Sequence, residues 1–490
     1  MSARKPARRQ AGPEEFHGDL LSTYGREPML PHEREYRFWS AHGTCFAYTI
    51  ATWCFLTGGI VANYVGAVEG IVCLIAGNLI GTMMVSASLS MGCHRYGLEQ
   101  IDFCKPAFGQ RGALIVLVFY LFNMIGWSGL ILIMFGNGIV NIVDAMGYEP
   151  PQWLVGAGVL LGIWVTYIIT TRGVHLLSLF NNIITPGLII VVAFMFYVLV
   201  TAHGWDEITA AAPLDPLPTP WLNYAIAVEL GIASGISWWG GVGFLARNTK
   251  SRRNAIYPEV IHLGFMQGIV CSIALVSGLV VGSDDPTRWM VPLGGLFMGV
   301  LALGFVALAN ITSTAVSLFA SGLALRHVPG LHKRRWKQII LLTCLPLFFV
   351  AIWPREVFDL GGTFLAYNGT MQAPVAGILL VDYFFLRKQH IHLRSIFEAA
   401  PSGQYYYSKG FNILALGAVI IGQIAYFVIY DPFTDEAHEL FRYVPASVAA
   451  FCLPAIVYWA GMKFGLESFY RRRLGAAGLQ PPARLIEPNI

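Results

Sequence analysis

Residues 222–246 read LNYAIAVELGIASGISWWGGVGFLA, and residues 41–62 read AHGTCFAYTIATWCFLTGGIVA. Each is an apolar run long enough to cross a hydrocarbon core of about 30 Å as a helix. Each also carries helix-weakening residues: Leu56-Thr57-Gly58-Gly59 in the earlier run, and Gly231, Gly235, Gly240, Gly241 and Gly243 in the later. In lipid every backbone polar group must be paired inside the protein, so such runs are helices, and a break is tolerated only where it faces protein or a cavity.

The rest of the chain follows the same pattern. Apolar residues make up 56% of the 490 and charged residues 12%, against about 25% charged in a soluble protein. Apolar runs separated by charged or Pro/Gly-rich breaks predict twelve spans, near 41–62, 69–93, 113–140, 151–171, 177–202, 222–246, 258–282, 291–322, 336–353, 358–385, 410–430 and 443–465. With that division 29 of the 32 Lys and Arg residues fall on one side, leaving Arg288, Arg355 and Arg442 on the other. The positive-inside rule then places both termini in the cytoplasm of a multi-pass inner (plasma) membrane protein. The net charge of +4 is spread over short loops, which suits a lipid bilayer as partner and not a nucleic acid. The eight cysteines form no CxxC pair and read as small packing residues. No cleavable signal peptide is visible, because the first apolar run is too long for one.

The two interrupted runs lie five spans apart. An odd-numbered repeat inserts with opposite orientation, so residues 41–202 and 222–385 read as inverted repeats whose broken helices meet at a midplane site. Residues 410–465 add two further spans, between cytoplasmic segments 1–40 and 466–490. The glycines have a second reading, close helix packing. In the eighth span, Ala309, Thr312 and Ser313 of Ala309-Asn310-Ile311-Thr312-Ser313-Thr314 share one face. They offer hard oxygen ligands to an alkali cation, or hydroxyls that bond the preceding turn. Glu229 is a carboxylate within a span, a functional-site hypothesis by default, with reach to water at the outer surface as the alternative.

Phe108-Gly109-Gln110-Arg111-Gly112, Gly126-Trp127, Ala309-Asn310-Ile311-Thr312-Ser313, Thr363-Phe364-Leu365, Pro374-Val375-Ala376-Gly377-Ile378 and Asp382-Tyr383-Phe384 occur in this order. Together they resemble nucleobase–cation symporter family 1, which includes cytosine permease, allantoin permease and the bacterial benzyl-hydantoin transporter. The resemblance covers residues from about 40 to 415. It implies a LeuT-like all-α fold of 5+5 inverted repeats plus two helices, and alternating access coupled to sodium or protons, with no other cofactor.

Carried over residue by residue, the resemblance implies a sodium site made of the carbonyls of Ala47, Ile50 and Ala309 and the hydroxyls of Thr312 and Ser313. It makes Trp127 the surface on which a flat heterocycle stacks, since Trp presents the largest π-face. Three amide side chains of the family's substrate site are replaced by Ala51, Ile131 and Leu318, which implies a less polar or bulkier ring. Gly235 takes the place of the family's second tryptophan, with Trp238 and Trp239 about one turn later as candidates for the opposite face, or as side chains facing lipid or neighbouring helices. Glu229 is expected to reach a ring amine or exocyclic amino group. The function expected is cation-coupled uptake of a small nitrogen heterocycle: a nucleobase, an allantoin-like compound or a vitamin pyrimidine. Rival readings are a LeuT-fold symporter for an organic amine or amino acid, and a membrane sensor that binds a ligand without moving it. The tails of about forty and twenty-five residues leave the sensor no signalling domain. An enzyme is not expected, since His42 and His262 stand isolated near span ends. The sequence specifies no oligomeric state.

Overall fold

The computed structural model describes residues 27–172 and 174–466, the side chains of 174–183 and 466 excepted. Among these residues nine helices are long and apolar enough to cross a bilayer, and the bent pair Phe38–Thr49 and Trp53–Ala62 makes a tenth. Two shorter apolar helices, Trp336–Ile352 and Ile413–Ile429, complete a series numbered here as segments 1 to 12. Segment 1 is the bent pair. Segments 2 to 5 are Ala67–Tyr96, Gly112–Ala145, Leu154–Thr171 and Val174–Ala202. Segments 6 to 8 are Pro220–Arg247, Arg252–Val281 and Met290–Leu325, and segment 10 is Gly361–Leu386. Segments 9 and 11 are the two short helices, and segment 12 is Ala446–Gly461. The terminal segments expected at 1–40 and 466–490 lie mostly outside the described residues.

Local chemistry sets several boundaries. Pro220 opens segment 6 at its first turn, where its missing N–H costs nothing. Gly97 and Gly282, at φ +68° and +76°, end segments 2 and 7 in the left-handed conformation that glycine adopts without penalty.

The segments form two groups. Segments 1, 2, 6 and 7 pack on one another, and segments 3, 4, 8 and 9 do likewise; segment 5 lies against 8, segment 10 against 6, and segments 11 and 12 against 10. The second group has its own apolar core, including Leu132, Ile133, Val159, Ile311, Leu318 and Leu347. This is the LeuT-like helical architecture expected.

The first break is not where the glycines suggested, whereas the second lies inside the glycine-rich stretch 231–243. Segment 1 bends by 45° between Thr49 and Trp53, ahead of Gly58-Gly59. Those two glycines continue the helix instead, because segment 7 and the loop after it press on them: a Cβ on Gly58 would lie 2.6 Å from the Ala274 Cβ, and one on Gly59 would lie 3.2 Å from the Trp289 ring. In segment 6 the helix is interrupted only at Ser237 and Trp238. Gly231 and Gly235 face Gly77 and Gly81 of segment 2, and a Cβ on Gly77 would lie 2.8 Å from the Gly231 Cα. Two reciprocal Gly-x-x-x-Gly pairs let the backbones touch. The packing reading holds for these glycines.

One face of the molecule carries most of the Lys and Arg residues and is called the basic face. There the motifs behind the family resemblance turn out to be clasps. Arg387 Nε donates to Asp382 Oδ2 at 2.6 Å, Arg387 Nη2 to the Pro106 carbonyl at 2.7 Å, and the Tyr458 hydroxyl to Asp382 Oδ1 at 2.8 Å. Gln110 Nε2 donates to the carbonyls of Ser395 and Ile396 at 2.8 and 2.9 Å.

Just past segment 8, His327 is buried with acceptors at both ring nitrogens. Nδ1 meets the Ala324 carbonyl at 3.1 Å, and Nε2 lies 3.3 Å from Asp102 and 3.7 Å from Glu99. A carbonyl at Nδ1 and two carboxylates beside Nε2 favour the doubly protonated ring. Burial opposes that charge, but Asp102 and Glu99 outweigh it and raise the His327 pKa, even with Lys105 nearby. Burial likewise works against the Asp102 carboxylate, yet Lys105 at 2.6 Å and His327 hold it down at about 2.

Two predictions follow from this packing. Gly77→Val should separate segments 2 and 6 and cost about 1–3 kcal/mol in unfolding of the detergent-solubilised protein. Gly304→Ala, with nothing within 4 Å of the new Cβ, should cost nothing and can add up to about 1 kcal/mol. For His327, whose folded pKa is raised, the stabilisation is full below its unfolded value of 6.5 and is lost as pH rises through the folded value. The Tm should therefore fall across that window in the native protein, and His327→Gln should flatten the slope.

Candidate functional site

The two breaks are stabilised by side chains that take over freed backbone groups. In segment 1 the helix stops at Ile50 (φ −90°, ψ 9°), and Cys54 Sγ donates to the Thr49 carbonyl at 2.9 Å. In segment 6 the Ser237 carbonyl accepts from Asn123 Nδ2 of segment 3 at 2.8 Å, while the Ser237 hydroxyl donates to the Ser234 carbonyl at 2.6 Å. Without such partners each group would be an unmet polar atom in the bilayer interior.

Between the breaks and segments 3, 7 and 8 lies a cavity of about 120 Å³. Tyr48 and Trp53 flank it at the first break, and Ser234, Ser237 and Trp238 at the second. Segment 3 contributes Met124 and Trp127, segment 7 contributes Gln267, and segment 8 contributes Ser317 and Ala320. No charged side chain among the described residues lines it. The Trp238 ring meets Trp53 edge-on, with centroids 5.5 Å apart at 81°, and Tyr48 at 5.9 Å and 61°. Trp127 stands edge-on to Phe364, 5.5 Å away at 88°.

Of the substrate residues expected from sequence, Trp127 and Trp238 line this cavity. Trp239 does not: it is buried against Tyr120, 6.3 Å away, because consecutive residues on a helix point about 100° apart. Gly235 is taken up by the contact with segment 2, where a Cβ would lie 2.5 Å from the Asn78 carbonyl. Ala51 sits within the first break, buried and off the lining. Ile131 is buried in segment 3 and Leu318 belongs to the core of segments 3, 4, 8 and 9; neither lines the cavity. Their hydrocarbon side chains serve packing here and do not form the cavity wall.

Glu229 is also elsewhere. Its two carboxylate oxygens accept from the Ser447 N–H at 3.1 Å each, and one accepts from the Ser447 hydroxyl. Ser447 lies in the first turn of segment 12, so this carboxylate caps a helix N-terminus, where negative charge is favoured. His42 and His262 are not isolated either. Their rings meet across segments 1 and 7, Nδ1 to Nε2, at 2.9 Å.

The expected cation ligands fall on segments 1 and 8, and none of the five lines the cavity. Ile50 is the residue at which the first helix stops, and Ala47 lies one turn before it. Thr312 donates its hydroxyl hydrogen to the Ala309 carbonyl at 3.0 Å, which leaves oxygen lone pairs free to face a cation. Ser313 is half-buried, one turn before Ser317 on the same helical face. No group of three His, Cys, Asp or Glu side chains that could hold a metal occurs among the described residues. Carbonyls and hydroxyls are the donor set a hard monovalent cation takes.

Sequence reading missed Tyr48, Trp53 and Gln267. The signal for Gln267 was there: a lone amide inside the apolar run 258–282. For Trp53 and Tyr48, the misplaced break hid their position.

Residues 34–461 match the family described as "Permease for cytosine/purines, uracil, thiamine, allantoin". This chain belongs to that family. The permease is therefore a membrane transporter, not an enzyme. It is 22% identical over 438 residues to the purine-uracil permease NCS1 of Arabidopsis thaliana, covering 83% of this chain and 71% of that one. It is 22% identical over 461 residues to the allantoin permease of Bacillus subtilis, covering 85% and 90%. The inward-facing conformation of Mhp1 shares its fold at a TM-score of 0.74 and 19% identity, over 93% of this chain and 97% of that one.

Glu229→Gln tests the capping role in this permease. Weakening the charged hydrogen bonds to Ser447 should cost about 1.5–3 kcal/mol in thermal or denaturant unfolding, while the affinity for any transported solute stays at the native value. A variant of native stability with weakened solute binding would return Glu229 to the substrate site.

Proposed function

We propose that this permease takes up a small, flat, uncharged nitrogen heterocycle, driven by a sodium gradient. The observation that carries the reading is the cavity at the two helix breaks, walled by the indoles of Trp127 and Trp238 and free of charged side chains among the described residues. At about 120 Å³ it is comparable to the roughly 150 Å³ cavity that takes a benzene ring in another protein, so it holds one small ring system. Flat aromatic rings gain from offset or edge contacts with indole faces. A zwitterionic amino acid would lose the hydration of two charges and find no counter-charge on the wall, a cost of several kcal/mol. The family description names cytosine/purines, uracil, thiamine and allantoin, and the neutral members of that set suit the lining.

Sodium is supported by the donor set: the carbonyls of Ala47, Ile50 and Ala309 with the hydroxyls of Thr312 and Ser313. Glu229 sits at the start of segment 12 and off the cavity lining, which supports sodium over a proton carried at that carboxylate. The charge distribution supports a cytoplasmic basic face, with both termini inside the cell and twelve crossings of the inner (plasma) membrane arranged as inverted repeats 41–202 and 222–385. The lining also includes Leu245 and Leu323, near the basic-face ends of segments 6 and 8. On this orientation the cavity faces inward.

The test is uptake by cells expressing the protein, competed by cytosine, uracil, hypoxanthine, allantoin and thiamine, with and without sodium. At least one compound should compete, uptake should depend on sodium, and Thr312→Ala should abolish the sodium dependence of binding. If none competes, the heterocycle reading fails. If uptake follows a pH gradient and ignores sodium, the coupling ion is wrong.

A further inference from the structure

Gln267 is 2% exposed and lies on segment 7 between Met266 and Gly268. Its amide is part of a chain of hydrogen bonds with one direction only. The Trp238 indole Nε1 donates to Gln267 Oε1 at 2.6 Å. Gln267 Nε2 donates to Asn78 Oδ1 at 2.9 Å and to the Ser234 hydroxyl oxygen at 3.1 Å. Asn78 Nδ2 donates in turn to the Leu74 carbonyl at 2.9 Å. An indole N–H can only donate and a carbonyl can only accept, so the two ends fix both amides and neither can flip. Segments 2, 6 and 7 are joined at this point, and the joint ends on the aromatic ring that walls the cavity.

The rings beside Trp238 do not hold it in this way. Trp53 and Tyr48 meet it edge-on, contacts that tolerate rotation, whereas a hydrogen bond of 2.6 Å at the indole nitrogen restricts the ring to one orientation. Trp238 is also one of the two residues where the helix is interrupted, so regular helical packing constrains it less than its neighbours.

We propose that Gln267 is the positioning residue for ring recognition: it sets the Trp238 indole as a stacking wall opposite the Trp127 side of the cavity, and it does so through the Asn78–Gln267–Trp238 chain. Substrate selection is thereby shared by segments 2 and 7. The inference rests on the heterocycle reading for its effect on binding, but not for its effect on the indole itself.

The experiment uses the full chain, purified in detergent and labelled with 5-fluorotryptophan. The Trp238 fluorine resonance is assigned by its absence in Trp238→Phe. Gln267→Met, of similar length and without the amide, should shift or broaden that resonance, while Gln267→Glu, which keeps an oxygen acceptor for the indole, should leave it closer to native. Binding of uracil, allantoin and thiamine is measured on the same proteins. For whichever of these the native protein binds, Gln267→Met should weaken affinity about tenfold. Its effect should be largely absent in the Trp238→Phe background, since residues acting through one contact are not additive. If Gln267→Met does not fold, Gln267→Asn, one methylene shorter, draws the acceptor away from the indole and carries the same comparisons. An unmoved Trp238 resonance, undiminished binding, or additive effects of the two substitutions overturns the inference. If the native protein binds none of the three, the heterocycle reading fails for them and the resonance alone decides whether Gln267 positions the ring.

Discussion

The backbone contact between segments 2 and 6 is the constraint on which the rest of the structure depends. Gly77 and Gly81 face Gly231 and Gly235, and no residue with a Cβ allows that approach. The contact brings Asn78 of segment 2 to the helix turn that precedes Trp238. Gln267 bridges Asn78 to Ser234 and to the Trp238 indole. Moving segment 6 outward by the width of a methyl group would strip the Gln267 amide of Ser234 and Trp238 and leave it only Asn78, in a medium that supplies no replacement.

The breaks obey the same rule. A helix in lipid can be interrupted only if something else takes its freed carbonyls. Here Cys54 does so in segment 1 and Asn123, from the other helical group, does so in segment 6. The Asn123 bond reaches from segment 3 to segment 6 beside the cavity, so the carbonyl at the second break is satisfied across the gap between groups. A cavity bounded by two interrupted helices and by helices of a second group can change shape as the groups move, without unwinding either one. That is the physical content of an alternating-access reading for this permease.

Charge is distributed by the same logic. Three carboxylates buried among the segments have partners: Glu229 at the start of segment 12, and Asp382 with Arg387 and Tyr458. Glu259 accepts from the Ser90 hydroxyl at 2.5 Å. None lines the cavity. At the basic face, His327 joins the end of segment 8 to the short helix Gln100–Phe108. A neutral cavity inside a scaffold of paired charges favours a neutral guest whose binding comes from ring contacts.

The sequence by itself determined the class: apolar runs of about twenty or more residues made it a polytopic helical membrane protein, since a run of that length pairs its own backbone in lipid as a helix. It also carried the family likeness, through motifs such as Asp382-Tyr383-Phe384 and Phe108-Gly109-Gln110 that proved to be clasps at the basic face. Such clasps are legible because they are short and contiguous in the chain. Trp127 and Trp238 were legible as large aromatic side chains near the expected site. Only the tertiary structure decided which glycines mark a break and which mark a contact, because Gly231 has the same backbone freedom in either role and the difference lies in whether Gly77 stands opposite. It likewise decided that Glu229 caps segment 12, more than two hundred residues away, that Trp238 rather than Trp239 faces the cavity, and that Gln267 lines it. Each of these depends on the partner a side chain meets across the bundle, and no spacing along one helix encodes that partner.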